Sequence, residues 1–181
     1  MANFDLLLQR YERFITPPWP EGLAGPQRVI FAVYDPRDER RLRMRLGEFE
    51  IATKRARRHW LACDLTDAFP NWMASHKYRD AYFEEPDNLS TTMGDFEAYT
   101  SGLVAARLQD PQADHKSIVA VYGVASLFGF MRVSKLVSSV ESEIRGRLLL
   151  FFPGQHDDST YRLLDARDGW NYHAIPITAQ G

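Results

Sequence analysis

The sequence predicts an α/β fold: a three-layer domain with a mostly parallel sheet, helices on both faces (Rossmann-like or degenerate P-loop-like), and a short antiparallel addition near the C-terminus. Three observations carry this prediction. Ile118-Val119-Ala120-Val121-Tyr122 and Arg147-Leu148-Leu149-Leu150-Phe151-Phe152 are near-continuous apolar runs, the pattern of strands covered on both faces. Between them Val133, Leu136, Val137, Val140 and Ile144 recur at helical spacing, which makes a strand–helix–strand crossover and hence parallel strands. Val29–Tyr34 and Trp60–Asp64 repeat the strand pattern earlier in the chain, each followed by a helical segment.

In chain order, Phe4, Leu7, Leu8, Tyr11 and Phe14-Ile15 predict an amphipathic helix over 3–15, with Asn3 as its N-cap. Thr16-Pro17-Pro18-Trp19-Pro20 ends it, since proline cannot continue the hydrogen-bond ladder. The first strand spans 28–34. Asp35-Pro36-Arg37-Asp38 then opens a helix: Asp35 can cap free N–H groups, Pro36 suits the first helical position, and the acids suit the positive end of the dipole. Leu42, Leu46, Phe49, Ala52 and Ala56 form its inward stripe to about His59. A strand at 60–64 follows, then a helical run over Thr66–Tyr82 that Pro70 should divide, a polar loop over Glu84–Thr92, and a helix over Gly94–Leu108. Strands are expected at 117–122 and 147–152, the latter stopped by Pro153-Gly154. Beyond it, short strands at 161–164 and 172–177 should flank a turn over Asp165–Asn171. Nothing marks a second domain, so residues 1–181 are read as one.

Bulk properties narrow the function classes. The 181 residues are 45% hydrophobic and 25% charged, with a formal net charge of −2, which disfavours a globally electrostatic nucleic-acid or membrane binder. One cysteine, Cys63, allows neither an internal disulfide nor a cysteine-rich zinc site and fits a reducing compartment. No apolar run approaches the roughly 20 residues that span a bilayer, and the first residues lack a signal-peptide layout, so a cytoplasmic protein is expected.

Tests for specific chemistry return little. A phosphate-cradling loop needs G-x-x-x-x-G-K-[ST]; here Gly123–Met131 has its second glycine one place late, with Phe130 and Met131 where lysine and Ser/Thr are required. Ser126 lies outside a G-x-S-x-G elbow and reads as a cap of the following helix or a group that satisfies the strand end. His156, Asp157, Asp158, Asp165, Asp168 and His173 could be imagined around a divalent ion, but their spacing matches no metal loop and their residue types suit turns. Arg37–Arg58 holds nine basic residues against four acids. A solvated face with Glu/Arg pairs is favoured there over a DNA-contacting surface centred on Arg55 and Arg58. Asp168-Gly169-Trp170-Asn171-Tyr172 is either a hairpin folded onto the core or a protein-interface anchor through Asp168, Trp170 and Tyr172; both readings stay open. Acids at strand ends (Asp35, Asp64, Asp157) leave a metal-dependent hydrolase or nuclease as an alternative. No catalytic residue, metal or cofactor is expected.

The pattern Val29-Ile30-Phe31-Ala32-Val33-Tyr34-Asp35-Pro36, then Asp64-Leu65-Thr66-Asp67-Ala68-Phe69, then Tyr122–Gly129, Leu150-Phe151-Phe152-Pro153-Gly154 and Tyr161-Arg162-Leu163-Leu164-Asp165 resembles the BrxB family. These are small proteins of bacterial BREX anti-phage islands, and the resemblance runs from Arg28 to Ile177, in order and spacing rather than in any catalytic signature. It implies an accessory role: binding the PglZ-type phosphatase-fold subunit, and through it meeting the methyltransferase and the large ATPase, in a system that methylates host DNA and restricts phage. It implies no catalytic residues.

Overall fold

The computed structural model describes residues 3–157, 160–164, 166–170 and 173–179, with backbone only at Asn3 and over 166–170. Helix α1 (Asn3–Ile15) leads through a 3₁₀ turn at Gly25–Arg28 into strand β1 (Val29–Tyr34). Helix α2 (Glu39–Arg55) and strand β2 (His59–Asp64) follow. Three helices come next: α3 (Ala68–Ser75), α4 (Arg79–Glu84) and α5 (Met93–Leu108). Strand β3 (Ser117–Tyr122), helix α6 (Val133–Val140) and strand β4 (Arg147–Asp157) form the crossover foreseen above. Strands β5 (Thr160–Leu163), β6 (Ala166–Trp170) and β7 (Ile175–Thr178) complete the sheet.

The parallel strands lie in the order β2-β3-β4-β1-β7, and β5 and β6 add an antiparallel hairpin to the outer end of β4. This is the α/β class predicted, but the order differs from the 3-2-1-4-5-6 of dinucleotide-binding sheets. Alternating side chains separate two cores, as a period of two requires. Ile30, Ala32, Ile118, Ala120, Leu149 and Phe151 pack under α1 and α2. Phe31, Val33, Val119, Val121, Leu150 and Phe152 face α3, α5 and α6. Phe49 of α2 knits the first core, with its ring 5.7, 5.1 and 4.9 Å from those of Phe4, Tyr11 and Phe151. In the second core Phe31 and Phe152, on adjacent strands, stack with centroids 5.2 Å apart.

Connections moving one way along the sheet (β1 to β2) use the α2 face, and those moving back (β2 to β3, β3 to β4) use the other. All therefore share one hand, as parallel crossovers do. The connection from β4 passes to the opposite side of β1 and reaches β7. The chain thus diverges at the carboxyl ends of β1 and β4, where open sheets place their crevice.

Five expectations need correction. Pro70 does not divide the 66–82 helix; it is the third residue of α3, where its missing N–H has no partner to lose, and the break comes at His76–Tyr78. The long basic helix stops at Arg55, and Arg57 turns left-handed at φ 59°. Strand β4 does not end at Pro153-Gly154 but continues to Asp157. Within the turn expected over 165–171, the described residues Ala166–Trp170 form a strand instead: the reversal starts at Leu164 (φ 53°), and β6 runs antiparallel to β5 with Tyr161 opposite Gly169. Of the last strand expected over 172–177, Tyr172 lies outside the described residues and His173 and Ala174 are not in a strand; Ile175–Thr178 is the strand and pairs parallel with β1. Tyr161 ties hairpin to strand by donating its buried hydroxyl to the Ala174 carbonyl at 3.0 Å. Among the described residues no helix is long and apolar enough to cross a membrane.

Candidate functional site

A cleft of about 870 Å³ opens where the topology diverges. Tyr34, Asp35 and Arg37 form one wall at the exit of β1, Gly154 and His156 another on the extension of β4, and Thr178 closes it at the end of β7. This volume would hold a small ligand. The loop after β1 occupies the place where a phosphate-binding sheet carries glycines and backbone N–H groups. Here it reads Asp35-Pro36-Arg37-Asp38, with no glycine and no lysine.

Asp35 caps the 3₁₀ turn at Pro36–Asp38 by accepting the Arg37 backbone N–H at 2.9 Å. The Arg37 guanidinium forks onto the same carboxylate, with Nε 3.0 Å from Oδ1 and Nη2 2.6 Å from Oδ2. These bonds hold the Asp35 carboxyl down at about 2 and raise the Arg37 guanidinium in turn. Tyr34 donates its hydroxyl to Glu39, which also accepts from Arg43 at 2.8 Å. Burial first, then that carboxylate, push the tyrosine well above its usual range. Each ionisable group at the mouth of the cleft near β1 is thus satisfied by a neighbour on its own loop or helix. Tyr34 is a neutral donor already committed to Glu39.

The three strand-end acids do not converge. Asp35 and Asp157 line the cleft, whereas Asp64 ends β2, separated from β1 by β3 and β4, or about 14 Å of sheet at strand spacing. Asp64 instead closes its own turn by accepting the Thr66 N–H at 2.9 Å and the Thr66 hydroxyl. Gly123 packs against this turn at φ 75°, with space for a Cβ only 2.5 Å from Thr66 Oγ1. Ser126 donates to the carbonyls of Leu65 and Gly123 at 2.7 and 2.8 Å, a brace between the exits of β2 and β3; of the two roles read from the sequence this is the strand-end one, and it caps no helix. Burial pushes the Cys63 thiol up to about 11, so it is a packing residue rather than a nucleophile at neutral pH. Among the described residues no three His, Cys, Asp or Glu side chains gather around a common point.

The interaction candidates scatter. Arg55 is exposed and lies 3.7 Å from Glu12. Tyr172 lies outside the described residues, and so do the side chains of Asp168 and Trp170, whose backbone forms part of β6. Ion pairs Arg41–Asp38, Arg43–Glu39, Arg45–Glu48 and Lys54–Glu50 dress the charged stretch as a solvated face. Arg58 does something the periodicity did not foresee. It folds over Trp19, with its guanidinium carbon 3.8 Å from the ring centroid. Arg147 reaches the same ring at 4.9 Å. The sequence reading missed Trp19 and Arg147; the one visible signal was an arginine opening an otherwise apolar strand.

No family model, curated protein or solved structure matches this chain.

Proposed function

We propose that this chain is a non-catalytic assembly subunit of a BREX-type anti-phage complex, working in the cytoplasm. It would bind the PglZ-type phosphatase-fold protein and, through it, support host DNA methylation and phage restriction by the methyltransferase and ATPase. The observation that carries the non-catalytic part is the Asp35–Arg37 fork. Asp35, the acid at the exit of β1 in the crevice of an open parallel sheet, is consumed in capping its own loop, instead of standing free to bind a metal or activate water. The order and spacing of the segments from Arg28 to Ile177 support the family part of the reading.

Exposed apolar side chains support a binding role. Met44 and Ile51, two turns apart on α2, are 72% and 58% exposed, and Phe83 of α4 is 71% exposed. Large apolar groups left in water at this level suit the anchors of a protein interface. The alternative reading, DNA contact by the α2 face, is weakened by the ion pairs that already neutralise most of it.

Co-expression with the PglZ-type protein encoded beside it tests the reading. The two should co-purify at moderate salt, and Ile51→Glu or Phe83→Glu should reduce capture without lowering the unfolding temperature. Absence of a complex with the unaltered chain refutes the proposal.

A further inference from the structure

A second recess, of about 670 Å³, lies at the opposite end of the sheet, where the strands begin. It is built from distant parts of the chain. Trp19 comes from the proline-rich segment after α1, Arg57 and Arg58 from the end of α2, Arg28 from the entry to β1, and Arg145 and Arg147 from the entry to β4. Only one acidic side chain, Glu21, lines it. Among the described residues no carboxylate stands within ion-pair distance of any of these five arginines.

Neutral carbonyls hold the guanidinium groups in place. Arg28 Nε donates to Leu23 at 3.0 Å, and its Nη1 to Ile144. Arg58 Nη2 donates to Pro17 at 3.0 Å and Arg147 Nη1 to Gln27 at 2.8 Å. Three buried donors nevertheless have no acceptor: Trp19 Nε1, Arg58 Nε and Arg147 Nε. Arg147 is only 3% exposed. Burial lowers the proton affinity of both arginines, and the charges of Arg28 and Arg58 lower that of Arg147 further. Gly146 locks the arrangement, because a Cβ there would sit 2.2 Å from the Ser117 carbonyl oxygen. A guanidinium taken out of water next to other guanidiniums, with no counter-ion, is a costly arrangement. One anion bound in the recess would relieve both the repulsion and the desolvation.

The geometry points to a binding site for a terminal phosphate group, inorganic phosphate or a phosphomonoester, with Arg147 as its floor and Arg58 and Arg145 as its walls. A phosphate dianion matches several guanidinium forks at once, which a single carboxylate does not. The site is recessed, so the convex backbone of a duplex does not reach Arg147. Stacking of a base is not its mode of recognition either, since guanidinium groups already cover Trp19. This inference does not depend on the assembly reading and is tested on the isolated chain.

Calorimetric titration with inorganic phosphate, and separately with a nucleoside monophosphate, at constant ionic strength should show saturable binding with Kd below about 1 mM. Arg58→Gln should weaken it about tenfold or more, as expected for loss of a charge-assisted pair, while Arg37→Gln at the far end of the sheet leaves it unchanged. Arg147→Gln removes a buried side chain that also holds the Gln27 carbonyl, so Arg58→Gln, whose fold is checked by circular dichroism, is the primary variant. Absence of heat up to about 10 mM phosphate overturns the proposal, a concentration well above the affinity expected of such a site. So does equal binding by Arg58→Gln. Oligonucleotides with and without a 5′-phosphate form the last arm: preference for the phosphorylated end supports a terminal-phosphate site, and equal affinity for both overturns it in favour of backbone phosphodiester.

Discussion

The same chemical change at two glycines should move stability in opposite directions. Gly154 lies on β4 opposite Leu163 of β5, where the sheet extension closes onto the hairpin. A Cβ at Gly154 would sit 1.9 Å from the Arg162 carbonyl oxygen and 3.1 Å from Phe152 Cε1. Ordinary contact is reached only beyond 3.4 Å, so β5 must retreat by more than an ångström or β4 must bend. The obstacle is backbone held in a ladder, not the free end of a side chain. Forced overpacking of this kind costs about 1–3 kcal/mol. For a chain of this size Gly154→Ala should therefore lower the unfolding temperature by roughly 2–12 °C, at about 2–4 °C per kcal/mol. Gly47 sits inside α2 with nothing within 4 Å of its would-be Cβ. Gly47→Ala should raise stability by about 0.5–1 kcal/mol, because alanine loses less conformational freedom on entering a helix. Thermal unfolding of both variants, with amide exchange over residues 160–170, measures the pair. Faster exchange confined to the hairpin in Gly154→Ala would locate the damage there. A Gly154→Ala protein that melts with the unaltered chain and keeps its hairpin protection refutes the close approach of β5 to β4.

Two further outcomes follow from the packing and the cleft. Phe49→Ala empties the point where α1, α2 and β4 meet, and should cost about 3–5 kcal/mol in denaturant unfolding; a loss below about 1 kcal/mol would contradict the aromatic cluster. Asp35→Ala removes a cap and an exposed ion pair together and should cost about 1 kcal/mol near neutral pH. The folded carboxyl is held at about 2, below its unfolded value of about 3.9, so its contribution is fully present above the unfolded value and is lost as pH falls toward the folded one. The stability gap between Asp35→Ala and the unaltered chain should accordingly narrow through that acidic window, as acid titrations of unfolding will show; a gap constant with pH would exclude the Asp35–Arg37 contact as its source.

Much of the frame could be read from residue order. Val29–Tyr34, Ser117–Tyr122 and the start of β4 are apolar at both parities, and that demands helices on both faces whatever the pairing. The Asp35 cap was legible for the same reason, since it acts within two residues of itself. Harder to read was any feature decided between segments. Asp168-Gly169 looks like a tight turn in isolation, yet β5 recruits it into a ladder. Pro153-Gly154 looks like a stop, yet the missing side chain at Gly154 is what lets β4 continue beside β5. Arg58 looked like the last member of a charged helix face, but the chain turns at Arg57 and lays it on a tryptophan from the segment beyond α1.

By itself, then, the sequence determined that β1, β3 and the start of β4 are strands covered on both faces, that helices separate them, and that the loop after β3, Gly123–Met131, lacks the lysine and Ser/Thr that grip phosphate. Those properties are local: they depend on periodicity of two or 3.6 residues and on caps a few residues apart. Only the tertiary structure decided the strand order β2-β3-β4-β1-β7, the separation of Asp35 from Asp64, and the gathering of Arg28, Arg58, Arg145 and Arg147 around one recess. Contacts of that kind join residues far apart along the chain, and no short-range pattern encodes which of several similar apolar strands will lie side by side.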